Sequence, residues 1–327
     1  MTGSGAAPHI PIVDLSPTAT GRPEGYRQVA DEIARAAEES GFLYVSGHGV
    51  PQALIDRTFD AARAFFALPE AEKMAISLAH SPHFRGYLPI GGFGQSTERA
   101  GDLVEAFQLM PELADNDPDV LAGKPLHGRN LWPEAVPGCD DFRETVLAYM
   151  DAMAALAERM LRAFAAGLDV EPDMLLQKFR KPLSQLRLMH YPPQPPQSAV
   201  EMRGVSPHTD TGAFTILAQD ANGGLEVQTR SGDWAAATPV PGAFVVNIGD
   251  SVMRWTNDRF VSTPHRVINR SGRDRISLPY FVNADYDAVI ECLPTCMGPG
   301  NPAKYPPLNQ GPLVYEKFKR IWPSSAH

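Results

Sequence analysis

Hydrophobic positions change their period about midway along the chain. From Tyr26 to Glu39, Val29, Ile33 and Ala36-Ala37 fall on one side, with Glu, Arg and Asp on the other. That is the spacing of an amphipathic helix, and Gly41 suits its C-terminal cap. Pro51 can open a second helix running through Phe66, and Pro69 to Ile76 suggests a short third one. His9 to Leu15 reads as an entry strand and Phe42-Leu43-Tyr44-Val45 as another. Asp141 to Leu168 is the longest helical pattern, with Met150, Met153, Leu156, Met160 and Phe164 in one apolar stripe. Methionines at this spacing mark a core, so the segment reads as a scaffold helix packed on a sheet.

From Leu183 the period is two: Leu186, Leu188 and His190 alternate with Arg187, Met189 and Tyr191. Strand candidates then recur about every 8–12 residues. They are Phe214 to Gln219, Leu225 to Thr229, Trp234 to Ala236, Ala243 to Ile248, His265 to Asn269 and Arg275 to Val282. Turns at Asn222-Gly223-Gly224, Ser231-Gly232-Asp233, Pro241-Gly242, Asn257-Asp258 and Ser271-Gly272 separate them. The pattern predicts a mainly β protein with flanking helices (α+β), its strands forming a sandwich or jelly roll. Ala114 to Pro137 and Pro294 to Pro312 read as loops, and Leu313 to Ile321 as a closing helix. The two halves are expected to share one core.

With 327 residues the chain can bury a large core. Its net charge of −9, with no Lys/Arg block, gives no electrostatic support for nucleic acid or an anionic membrane. No apolar run approaches the ~18 residues of a membrane span, and Met1 to Leu15 lacks the basic and apolar regions of a secretory signal. A soluble, cytoplasmic protein is expected. Of the cysteines, Cys292 and Cys296 could pair or bind metal, but with Cys139 they are read as reduced thiols.

The chemistry-bearing stretch is His208-Thr209-Asp210, His265 and Arg275-Ile276-Ser277. In a strand, His208 and Asp210 at i and i+2 share a face, with His265 returning beside them on a distant strand. Two imidazoles and a carboxylate with open positions are diagnostic of non-haem Fe(II) oxygenases. Arg275 and Ser277, also i and i+2, could grip a carboxylate; an internal salt bridge is the other use of the arginine. Tyr191 could donate to the same carboxylate or be a packed core residue. His48 is read as a loop histidine satisfying local backbone. Gly91-Gly92-Phe93-Gly94 lacks the strand–turn–helix context of a phosphate cradle; its aromatic content suits a pocket wall or packing under a loop. Phe281, Phe93, Tyr87 and Arg85 are candidate walls for a partly apolar small molecule.

These motifs resemble the isopenicillin-N-synthase-like branch of the Fe(II)/2-oxoglutarate-dependent dioxygenases, nearly end to end. Ile10-Pro11-Ile12-Val13-Asp14-Leu15, Gly41 to Val45 and Phe84-Arg85-Gly86-Tyr87 look like that family's N-terminal region. Leu188 to Pro193 resembles its Asn-Tyr-Tyr-Pro-Pro motif, with Met189 in place of the Asn and His190 in place of a Tyr. Pro241 to Asp250 and Pro264-His265-Arg266-Val267 match its metal-domain motifs. The resemblance implies a double-stranded β-helix (jelly roll) core over 181–290. An N-terminal α/β region over 1–120 would pack on it, with a connection and scaffold helix over 121–180 and a C-terminal loop and helix over 291–327. It implies Fe(II) on His208, Asp210 and His265, and 2-oxoglutarate on Arg275 and Ser277 helped by Tyr191. O2 would be consumed, with ascorbate a candidate reductant, and Phe281 would stack on substrate. The implied reaction is hydroxylation, desaturation or cyclisation of a small metabolite, of the kind found in secondary metabolism, with release of succinate and CO2. A monomer or weak homo-oligomer is expected. Two alternatives stay open: a same-fold Fe(II) oxidase whose Arg-x-Ser holds the substrate's own carboxylate, and a metal-binding jelly roll without redox activity.

Overall fold

The computed structural model describes residues 10–92, 102–194 and 204–322. The N-terminal part lays down β1 (Ile12–Asp14), α1 (Pro23–Glu39), β2 (Phe42–Ser46), α2 (Gln52–Phe66), α3 (Glu70–Ala75), β3 (Gly86–Leu88) and β4 (Glu105–Leu109). A short α4 (Pro118–Leu121) precedes the scaffold helix α5 (Cys139–Gly167) and α6 (Pro172–Leu176). Then come β5 (Gln185–Tyr191), β6 (Val205–His208), β7 (Phe214–Gln219), β8 (Leu225–Gln228), β9 (Trp234–Ala236) and β10 (Phe244–Ile248). The chain continues through α7 (Asp250–Trp255), β11 (His265–Val267), β12 (Arg275–Val282), the pair β13 (Val289–Ile290) and β14 (Leu308–Asn309), and α8 (Gln310–Ile321). α7 escaped the sequence pattern because six residues are too few to display a period.

The larger sheet has the order β1-β2-β10-β7-β12-β5-β4-β3, and the smaller one β6-β11-β8-β9. The two enclose the jelly-roll interior, and the larger sheet buries a different set of side chains on each face. Its outer side presents Leu186 and Leu188, Phe214 and Ile216, Val246 and Ile248, and Leu278 and Tyr280 to α1, α2 and α5. Phe164 on α5 meets Phe214 edge-on at 5.2 Å. One continuous buried cluster thus runs from Val13 to Cys296. The inner side, one residue out of phase on each strand, faces the smaller sheet: Met189, Tyr191, Leu217 and Val245 pack with Leu225, Val227 and Val267.

β3 and β4, which flank the glycine-rich stretch in sequence, add to the edge of this sheet. Tyr87 and Arg85, expected as substrate walls, are absent from the lining of the cavity that contains His208, Asp210 and His265, and Arg85 lines a separate cavity with Leu126 and Lys181. The Tyr87 hydroxyl donates to Glu105 Oε2 at 2.6 Å, where Lys73 Nζ also donates at 2.6 Å. His190 meets Glu105 Oε1 and Asp274 Oδ1, each at 2.8 Å, and stacks on Phe66. This knot ties α2 and α3 to the sheet. Arg85 is buried, and its guanidinium donates to the Leu126 and Pro111 carbonyls and to Asn130 Oδ1. Phe93 lies outside the described residues. His48 accepts from the Val50 amide and packs on Phe244, a local structural role. The three cysteines are free thiols. Among the described residues no helix is long and apolar enough to cross a membrane.

Burial works against a charged His190, but its bonds to Glu105 and Asp274 outweigh that and raise its pKa. Burial likewise pushes Glu105 up, and its bonds from His190, Lys73 and Tyr87 more than reverse this, lowering it. A raised histidine stabilises fully below the ordinary imidazole value and loses its contribution as pH climbs through the folded one. A depressed carboxylate loses its own as pH falls. His190→Gln should therefore cost most stability near pH 5–6 and progressively less towards pH 9, read as denaturation midpoints across pH. Phe164→Ala should cost about 3–5 kcal/mol through the cavity it leaves, seen as a lower denaturant midpoint at unchanged slope. The exposed Leu121→Ala should stay within about 0.5 kcal/mol.

Candidate metal centre

His208 and His265 are cross-strand partners on β6 and β11, with ring centroids 4.3 Å apart. Each imidazole is oriented from behind, Nδ1 of His208 by the Ser206 carbonyl at 2.9 Å and Nδ1 of His265 by the Thr263 carbonyl at 3.2 Å. The Nε2 atoms then face Asp210, at 3.7 Å from its Oδ1 for His208 and 3.7 Å from its Oδ2 for His265. All three candidate ligand atoms lie within 4.8 Å of one another.

Asp210 does not share a strand with His208. β6 ends at His208, and Asp210 sits in the turn beyond it, its carbonyl accepting the Asp250 amide at 2.7 Å. The turn can pack there because Gly212 has no Cβ; one would stand 2.7 Å from the Val282 carbonyl. The carboxylate is fixed by two donors on the larger sheet, Thr215 Oγ1 at 2.6 Å and Asn247 Nδ2 at 2.8 Å, both to Oδ2. Burial raises the Asp210 pKa, yet the charges of His265 and His208 and these two bonds outweigh it and hold the group ionised. Burial, then the neighbouring His265, pushes His208 down to about 4. At neutral pH the face is thus a neutral imidazole and a carboxylate ready to ligate, the protonation states that metal binding needs. The donor set is nitrogen and oxygen with no sulfur, which suits Fe(II).

The cavity in front of this face has about 80 Å³ of free space. The strand period builds its walls. β12 contributes Arg275, Ser277, Pro279 and Phe281, and β5 contributes Arg187, Met189 and Tyr191. Tyr191 pairs in register with Arg275, and Met189 with Ser277. Arg275 is buried, and its Nε donates to the Gly223 carbonyl. Its Nη1 lies 3.2 Å from Ser277 Oγ, and its guanidinium rests 4.5 Å from the Tyr191 ring. Among the described residues no carboxylate pairs with it. The Tyr191 hydroxyl has only the weak acceptor Met189 Sδ, at 3.5 Å. An anion with two oxygens fits this corner, since a buried guanidinium without one is costly.

Of the residues singled out in the sequence, His208, Asp210, His265, Arg275, Ser277, Tyr191 and Phe281 all line this cavity. Thr215, Asn247 and Arg187 were missed. The alternation of Arg187 with Met189 and Tyr191 was the signal for the arginine, and a polar residue inside the apolar run Val245-Val246-Asn247-Ile248 was the signal for the asparagine. Thr215 gave none, being an ordinary strand residue.

Comparison with known proteins agrees with this geometry. Residues 10–135 match the family described as non-haem dioxygenase in morphine synthesis N-terminal, and residues 182–284 match the 2OG-Fe(II) oxygenase superfamily. The chain is 38% identical over 314 residues to the 2-oxoglutarate-Fe(II) type oxidoreductase hxnY of Emericella nidulans, covering 95% of this chain and 90% of that protein. Among solved structures it resembles a full-length Neurospora crassa protein in complex with alpha-KG and thymine, with a TM-score of 0.85 and 26% identity, over 98% of this chain and 99% of that one. JOX2 in complex with 2OG, Fe and JA matches at a TM-score of 0.76 and 28% identity, over 98% of this chain and 88% of that one.

Asn247→Ala and Thr215→Val should each weaken Fe(II) by about 10–100-fold, as removal of outer-shell partners of a ligand does, whereas Asp210→Ala should leave no specific Fe(II) binding. Anaerobic titration of metal-free protein measures all three.

Proposed function

The chain belongs to the 2OG-Fe(II) oxygenase superfamily, and on that premise we propose that His208, Asp210 and His265 hold the iron while Arg275 and Ser277 hold the distal carboxylate of 2-oxoglutarate. It is an Fe(II)- and 2-oxoglutarate-dependent oxidoreductase. The bound iron and keto acid supply the oxidant, with succinate and CO2 released. The remaining work falls to the chain's own side chains. Arg275 presents parallel donors to a carboxylate, Ser277 adds a third, and the Tyr191 hydroxyl turns from Met189 to the same anion. Leu217, Leu225, Val267 and Pro279 line the cavity and keep water from the reacting atoms. The substrate C–H brought nearest the triad is the one oxidised, by hydroxylation, desaturation or ring closure. The substrate is a small organic molecule, of the size class of the thymine held in the Neurospora crassa complex. We place the protein in the cytoplasm, acting as a monomer or weak homo-oligomer without nucleic acid.

The observation that carries this reading is Arg275, a buried cation lacking a carboxylate partner among the described residues, in the same cavity as the three ligands. Under anaerobic conditions, Fe(II) and 2-oxoglutarate together should give a weak visible charge-transfer band that neither gives alone. Arg275→Met should weaken 2-oxoglutarate by about 2–5 kcal/mol and leave Fe(II) affinity within about threefold. A band of undiminished 2-oxoglutarate dependence in the variant would sink the assignment of Arg275.

A further inference from the structure

A second cavity, of about 260 Å³, opens beside the first and shares Arg187, Val205, His208, Asp210 and Phe281 with it. The C-terminal helix α8 closes its far side through Val314, Lys317 and Phe318. Two cations thus line one space from two elements, Arg187 from β5 and Lys317 from α8. Arg187 Nε donates to Gln108 Oε1 at 2.6 Å, and its guanidinium lies 4.8 Å from the Phe281 ring and 5.5 Å from that of Trp322. Burial brings Arg187 down to about 10; burial also lowers Lys317, against the pull of Asp210, and the charge of Arg187 adds to the lowering.

The anions on this wall are already committed. Asp102 accepts from the Ser206 amide at 3.1 Å and from its hydroxyl at 2.8 Å. Asp250, off this wall but near enough to act on the charge of Lys317, accepts from Ser262 Oγ at 2.7 Å and Thr209 Oγ1 at 3.4 Å. Asp210 belongs to the metal face, so its charge is spent once a divalent cation is held. Lys317 donates to the Thr211 hydroxyl, and among the described residues no carboxylate forms an ion pair with it. Phe281, Val314, Phe318 and Ile321 supply an apolar side to this space, with Gln185 and Asn283 also on its wall. Its volume falls just below the ~300–1,000 Å³ usual for ligand pockets, enough for a molecule of about one ring.

We propose that the substrate is a small organic acid whose carboxylate sits between Arg187 and Lys317 while its apolar body lies along Phe281 towards the metal face. This rests on the oxygenase reading of the adjoining site. The 2-oxoglutarate carboxylate has its own anchor on Arg275, and Lys317, with Arg187 lining the same space, offers its charge to a second acid. Charge-assisted bonds discriminate strongly between a carboxylate and its neutral amide. An acid should therefore bind at least about tenfold tighter than its amide.

The test uses the anaerobic Fe(II)·2-oxoglutarate complex and the perturbation of its visible band. Benzoate, phenylacetate and hexanoate are each titrated against the matching amide, with thymine as a neutral ring. At least one acid should shift the band at a tenfold or more lower concentration than its amide. That preference should fall tenfold or more in Lys317→Gln and in Arg187→Gln, and survive in Lys317→Arg. If Arg187→Gln fails to fold, the α8 variants decide alone. Amides or thymine matching the acids, no acid shifting the band, or an acid erasing it by displacing 2-oxoglutarate would each overturn the proposal. A wild-type protein with no band before any acid is added would instead strike the oxygenase reading, and the proposal with it.

Discussion

Burying a carboxylate costs on the order of several kcal/mol unless its lone pairs and charge are answered at close range. Asp210 is buried in a turn, not in a strand, so the sheet hydrogen bonds cannot fix it. Its Oδ2 is answered by β7 and β10 of the larger sheet, through Thr215 and Asn247, and both oxygens face imidazoles from the smaller sheet. The group is thus the point at which the two sheets must keep their spacing and register. Gly212 and the Asp250 amide, which let the turn sit where it does, follow from the same requirement.

The larger sheet meets a second demand at the same time. One face has to bury α1, α2 and α5, and the other has to carry polar groups into a cavity. Alternation along each strand separates the two tasks cleanly. On β12, Ile276, Leu278, Tyr280 and Val282 join the helix-facing core, while Arg275, Ser277, Pro279 and Phe281 line the cavity. A slip of one residue in register would exchange the faces entirely, so the packing of the helices also guards the chemistry. The stripe of methionines and Phe164 on α5 contributes to the site only in this way, by fixing the sheet from behind.

The N-terminal region is attached by polar as well as apolar contacts. Lys73, Tyr87, Glu105 and His190 form a knot in which the carboxylate satisfies three donors. His190 stands immediately before Tyr191 but points to the opposite face, so the knot and the cavity share a strand without sharing an environment. α8 brings Lys317 to the wall of the adjoining cavity.

Much of this was legible in the chain alone. The helical stripes of α1, α2 and α5 and the period-two run from Leu186 placed the main elements to within a few residues, because burial of one face imposes its period on the sequence. His208, Asp210, His265, Arg275 and Ser277 stood out because charged and imidazole side chains in an apolar, strand-like context need a reason to be there. Tyr87 and Arg85 were misread, since a chain cannot announce whether an aromatic or a guanidinium will meet a ligand or a distant carboxylate such as Glu105. Thr215 and Lys317 were invisible as site residues for the same cause, and Asn247 showed only as a polar break in an apolar strand. Local periodicity is a property of neighbours in sequence, and the sequence determined it. Which face of which strand meets Asp210, and which cations share its cavity, depend on long-range pairing that only the folded sheets decide.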